Sequence, residues 1–70
     1  MQKRLKLKQF RISLDLNQEE MAKRCKVNRG TYSQIEQGKT RGSEDFWFNL
    51  KNEFKLTSDK VWTMQYEGKE

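Results

Sequence analysis

Apolar residues recur along the chain at intervals of three and four, interrupted by short loop-like stretches at 14–17, 26–28, 38–43 and 55–58. That spacing predicts five short helices, and no stretch alternates with period two for long enough to predict a strand. Leu7, Phe10, Ile12 and Leu14 supply the apolar positions of a first helix over roughly residues 2–14. Asp15 then has to turn the chain, and aspartate is among the few non-glycine residues that accept a left-handed backbone. Asn17 with Glu20 three residues later forms a capping-box start to a second helix, about 18–25, whose inward residues are Met21, Ala22 and Cys25. Asn28 caps a third helix that runs to Gln37 and is stopped by Gly38. Ser43 caps a fourth over 44–54, with Trp47, Leu50 and Phe54 on one face. Thr57 or Ser58 starts a fifth, carrying Val61 and Trp62.

The second and third helices are too closely connected to lie antiparallel. They must cross steeply, with Ala22 permitting close approach to Ile35, which predicts a helix-turn-helix over about 18–37. The third helix is unusual in what it displays. Arg29 and Ser33 are four apart, as are Gly30 and Gln34, so all four share one side, while Tyr32 and Ile35 fall on the other. A core helix would be more apolar, and a merely solvated one richer in Glu and Lys.

Seventy residues make one domain, 1–70, with a core small enough that oligomerisation is expected to help it. Four Phe and two Trp argue for a folded chain despite the high charge content. The net charge of +5 is unevenly spread: residues 1–41 hold eleven Lys/Arg against four Asp/Glu, and residues 42–70 hold four against six. A basic half joined to a mildly acidic one suggests a polyanion contact made by the first half alone; lysines kept for solubility are the bland alternative. With Cys25 the only cysteine and no histidine, neither a disulfide framework nor a zinc site is expected. Cys25 reads as a buried residue of the second helix. The opening MQKRLKLKQF has no long apolar run after it, so neither a signal peptide nor a membrane span is expected, and the protein should be cytoplasmic. No paired nucleophile and base and no phosphate-cradling glycine loop is present, so neither an enzyme nor a cofactor is expected.

The segment LKQFRISLDLNQEEMAKRCKVNRGTYSQIEQGKT resembles the helix-turn-helix of the phage repressor and Cro (XRE) family, and residues 5–62 fit its pattern. The shared elements are an Arg in the first helix, Leu then a polar cap, Gln-x-x, an apolar-Ala pair, Val after the turn, an apolar residue plus Ile, and Glu-x-Gly-Lys-Thr. The chain departs from it at Lys26, where a glycine with positive φ is usual; lysine there costs about 1 kcal/mol if the backbone is kept. Gly42 stands where proline is frequent, and Tyr32 replaces an aliphatic residue.

The resemblance implies an all-α, five-helix, lambda-repressor-like bundle that regulates transcription by binding double-stranded DNA. Arg29 and Gln34 are then the main base readers, since guanine O6/N7 suits arginine and adenine N6/N7 suits glutamine. Thr31 and Ser33 assist, and Gly30 lets the backbone approach the bases. The alternatives are a solvated charge for Arg29 and a packing glycine at 30. Gln18 is implied to meet a phosphate with the second helix's N-terminus and to brace the first residues of the third helix. Asn17, Asn28, Gln37, Lys39, Thr40 and Arg41 complete the phosphate set. Lys3, Arg4, Lys6 and Lys8 could serve the backbone or simply be a solvated face. Arg11 and Glu36 are implied to form a structural ion pair. The apolar surplus at Leu56, Val61, Trp62, Met64 and Tyr66 suggests a two-fold homodimer presenting two recognition helices about 34 Å apart on a partly palindromic site. A protein-interaction module, such as an antirepressor or an antitoxin that also clamps a toxin, is the competing function; its third-helix face should be apolar or acidic rather than neutral to basic.

Overall fold

The computed structural model describes residues 3–66 and places five α-helices in them: α1 Leu5–Ser13, α2 Gln18–Arg24, α3 Arg29–Glu36, α4 Glu44–Phe54 and α5 Ser58–Tyr66. Capping chemistry fixes four of the starts, with Thr57 Oγ1 accepting from Lys60 N at 3.2 Å ahead of α5. The Asn17 side chain accepts from Glu20 N at 2.8 Å while Glu20 Oε1 accepts from Asn17 N at 3.0 Å, a complete capping box. Asn28 accepts from Thr31 N, and Ser43 from Phe46 N. Each cap satisfies an amide that the first turn leaves without a helical partner.

The ends of α1 to α4 follow one scheme. A residue with left-handed backbone comes first: Asp15 (φ 61), Lys26 (φ 63), Gly38 (φ 78) and Lys55 (φ 54). The next residue's amide then bonds five residues back, as Leu16 to Arg11 O, Val27 to Ala22 O, Lys39 to Gln34 O and Leu56 to Lys51 O. In three of the four, that next residue is apolar and packs against the core: Leu16, Val27 and Leu56. At α3 it is the exposed Lys39, so the chain leaves this helix outward.

The position where the resembled pattern has glycine is therefore held by Lys26 with the turn intact. Lysine carries a steric cost in that conformation that glycine lacks, partly offset by glycine's greater freedom when unfolded. Lys26→Gly should stabilise the fold by about 0.5–1 kcal/mol, read as a raised urea midpoint at unchanged slope. An unchanged midpoint would mean that the left-handed turn carries no strain.

Every helix feeds one core. Leu7 comes from α1, Met21 and Ala22 from α2, Tyr32 and Ile35 from α3, Phe46, Trp47 and Leu50 from α4, Val61 and Met64 from α5, with Cys25 just after α2. The α2–α3 contact is the most extensive between helices. Burial pushes the Cys25 thiol up to about 12, so it stays protonated and acts as an apolar filler. Phe46, outside the face expected for the fourth helix, stacks edge-on to Trp47 at 4.8 Å and approaches Tyr32 at 6.1 Å.

Three expectations for α1 need correction. The helix is shorter than 2–14. Ile12 is 54 % exposed, because it lies five residues from Leu7, about 140° around the helix and away from the inward pair Leu7 and Phe10. Leu14 lies past the last helical residue and is also exposed. Gly42, read as a proline substitute, has its own reason: its φ is 79, and a Cβ there would sit 3.0 Å from Trp47 Nε1 and 3.2 Å from Ile35 Cδ1.

Candidate nucleic-acid interface

The division of α3 begins with its buried side. Tyr32, Ile35 and Glu36 face the fold, and the carboxylate of Glu36 is a polar hub under the helix. Arg11 Nε donates to its Oε2 at 2.9 Å, Tyr32 OH to Oε2 at 2.7 Å, and Gln18 Nε2 to Oε1 at 3.1 Å. Arg11 also donates to Leu16 O at 2.8 Å, which ties the hub to the turn before α2. Burial pushes the Glu36 carboxyl up, but the donors from Arg11, Tyr32 and Gln18, with the charge of Arg11, outweigh it and hold the group below its ordinary value. Burial and the bond to Glu36 raise the Tyr32 phenol well above its usual range. The Arg11–Glu36 pair is present as expected. The bracing partner of Gln18 differs from the one implied: its amide reaches Glu36 at the last turn of α3, not the helix's first residues.

On the opposite side Arg29, Gly30, Thr31 and Gln34 are exposed, and Ser33 is half-buried with its hydroxyl accepting from Gln37 Nε2 at 3.0 Å. Arg29 and Gln34 have no side-chain hydrogen-bond partner among the described residues. A Cβ on Gly30 would meet only Asn28 Oδ1, at an ordinary 3.5 Å, so packing is not what requires this glycine. Electrostatics sets α3, together with α1, apart from the other helices. The first turns of α2, α4 and α5 carry Glu19 and Glu20, Glu44 and Asp45, and Asp59, which complement the positive helix end. The first turn of α3 has no acidic residue and begins with Arg29. Its N-terminus is thus left positive on the outside of the fold.

The other expected phosphate residues lie as follows. Asn17 and Asn28 are exposed, their carbonyl oxygens engaged as caps and their amide NH2 groups on the surface. Gln18 and Gln37 are half-buried beside α3, and Lys39, Thr40 and Arg41 are exposed on the strap that follows it. A cleft of about 310 Å³ between α1 and the end of α3 is lined by Lys3, Lys8, Gln18 and Gln37, with Arg4 and Glu36 in its floor.

Arg4, expected either to serve the DNA backbone or to lie on a solvated face, is neither a surface charge nor a free phosphate ligand. It is 3 % exposed. Its guanidinium donates to Ile35 O, to Thr40 O at 2.8 Å and to Gln65 O at 3.0 Å, and lies 5.4 Å from the centre of the Trp47 ring. The one hint was its chemistry: it is the single arginine among Lys3, Lys6 and Lys8, and arginine's planar fork suits several carbonyls at once.

The expected dimer set divides. Val61 and Met64 belong to the core and cannot form a surface, because they lie three apart on the inward face of α5, which packs on α1 and α4. Leu56 is half-buried. Trp62, 62 % exposed, and Tyr66 lie four apart on the outward face, their rings 4.7 Å apart.

No group of residues able to hold a metal ion occurs among the described residues, and none of their helices is long and apolar enough to cross a membrane. A helix-turn-helix family model matches residues 7–59 of the chain. No curated protein and no solved structure gives a significant match to it.

Proposed function

The chain belongs to the helix-turn-helix family, and from that premise we propose that it is a sequence-specific, double-stranded-DNA-binding transcriptional regulator of the Cro/repressor type. The two-sided character of α3 carries the proposal. One face is locked into the fold by Tyr32, Ile35 and the Glu36 hub, and the other offers unpaired donors and acceptors beside an uncompensated positive helix end. A helix of this kind fits the major groove, with Arg29 and Gln34 at base edges, Thr31 and Ser33 assisting, and Gly30 allowing close approach. Gln18, the free amides of Asn17 and Asn28, Gln37 and the 39–41 strap take the flanking phosphates. The regulator acts by occupying its site in the cytoplasm and is not an enzyme.

The active form is a homodimer joined through the outward face of α5, with Trp62 and Tyr66 at its centre and Leu56 toward its edge. Selection from a random pool of duplexes should recover a two-fold-symmetric sequence whose half-sites lie about one helical turn apart. Trp62→Ala should lower self-association in sedimentation and weaken binding to that palindrome. Recovery of unrelated sequences, or binding indifferent to salt, would remove the proposal, since phosphate contacts make affinity fall steeply as salt rises.

A further inference from the structure

We infer that Arg4 is a positioning residue for nucleic-acid binding, anchoring the phosphate-facing strap 39–41 to the end of α3 and to α5; this rests on the DNA-binding role proposed above. The geometry is convergent. Nη1 reaches Ile35 O in α3 and Thr40 O in the strap, Nη2 lies 3.4 Å from Arg41 O, and Nε reaches Gln65 O in α5. The backbone amide of Arg4 donates to Glu36 O at 2.9 Å, so the residue also satisfies the C-terminal end of α3. Trp47 Nε1 donates to the same Arg41 carbonyl at 3.0 Å.

The strap therefore has its backbone carbonyls held from inside, while the side chains of Lys39, Thr40 and Arg41 are exposed. Holding carbonyls on three separate segments takes three nitrogens in a fixed plane. A lysine has a single nitrogen on a flexible stem and cannot replace that fork. Binding by a pre-ordered strap loses less entropy than binding by a loose one, so the anchor raises affinity without touching the ligand.

The test uses the wild-type chain, Arg4→Lys and Arg4→Gln, each with and without Arg41→Ala, titrated against a short mixed-sequence duplex over a range of salt. Helix content by circular dichroism establishes that each variant is folded. The Arg4 variants should bind about tenfold more weakly at low salt, with a salt slope shallower by about one. Arg41→Ala, costly in the wild type, should add little in either Arg4 variant, because an unanchored strap no longer places that side chain. Wild-type affinity and slope in Arg4→Lys, or a fully additive Arg41→Ala effect, would overturn the inference. If both Arg4 variants lose helix content, Trp47→Phe removes the second donor to Arg41 O and should also make the slope shallower; an unchanged slope then overturns it. A wild-type chain that does not bind the duplex in a salt-dependent way overturns the proposed function instead.

Discussion

Replacing Glu36 with alanine should lower the free energy of unfolding by about 3–5 kcal/mol, a large share of what a domain of this size has. Three donors from three helices, Arg11, Gln18 and Tyr32, converge on that carboxylate, and its removal leaves a largely buried guanidinium without its counter-charge. Tyr32→Phe, which deletes one of the three donors, should cost only about 1 kcal/mol. Exchanging the pair for apolar residues, Arg11→Met with Glu36→Leu, should recover much of the loss, since the penalty lies in the orphaned charge more than in the lost attraction. Urea denaturation of the four proteins decides this, and near-wild-type stability in Glu36→Ala would show that the hub does not hold α3. The pH dependence follows from the same group. Its pKa is lower in the folded state than in the unfolded one, so the ionised carboxylate's stabilisation is complete above the ordinary glutamate value of about 4.3. It is lost as pH falls through the depressed folded value. Glu36→Gln should flatten that part of the acid limb.

How far the fold could be read from the sequence depended on how local each cause was. Asn17, Asn28 and Ser43 were legible as caps because a cap needs only one side chain and an amide three residues on. Asp15 was legible for its tolerance of a left-handed backbone, whereas nothing in Lys55 itself announces φ 54. The available signal lay one residue later: Leu16, Val27 and Leu56 are the apolar residues that such a helix end places against the core. Arg4 was illegible because its burial depends on α3, the strap and α5 meeting around it. The dimer set was misread because surplus apolar residues were counted without separating faces. Val61 and Met64 lie on one side of α5, Trp62 and Tyr66 on another. The exposed face of α3 was legible as a pattern, since its spacing is that of a single helix, while the hub beneath it also draws Gln18 in from α2, which no local spacing signals.

Arg29→Ala should separate function from stability more sharply than any other substitution in this chain. Arg29 is an exposed cation in a first turn with no acidic residue, where the helix dipole is unfavourable to it. Removing it should leave the fold unchanged or stabilise it by about 0.3–1 kcal/mol. On the selected duplex the same substitution should cost about 1–3 kcal/mol, roughly five- to 150-fold in affinity, with discrimination lost mainly at one base pair of each half-site. Gln34→Ala should show a loss of similar size at a different base pair and be near neutral for stability. Lys39→Ala supplies the contrast, weakening selected and scrambled duplexes alike while reducing the salt slope. A residue kept for the fold cannot give the Arg29 pattern, because its loss would lower stability and affinity together. Should both Arg29→Ala and Gln34→Ala keep wild-type site preference, α3 is not the reader and its polar face has some other use. If they behave as expected, the chain forgoes some stability at the start of α3 to hold a charge that only DNA can satisfy.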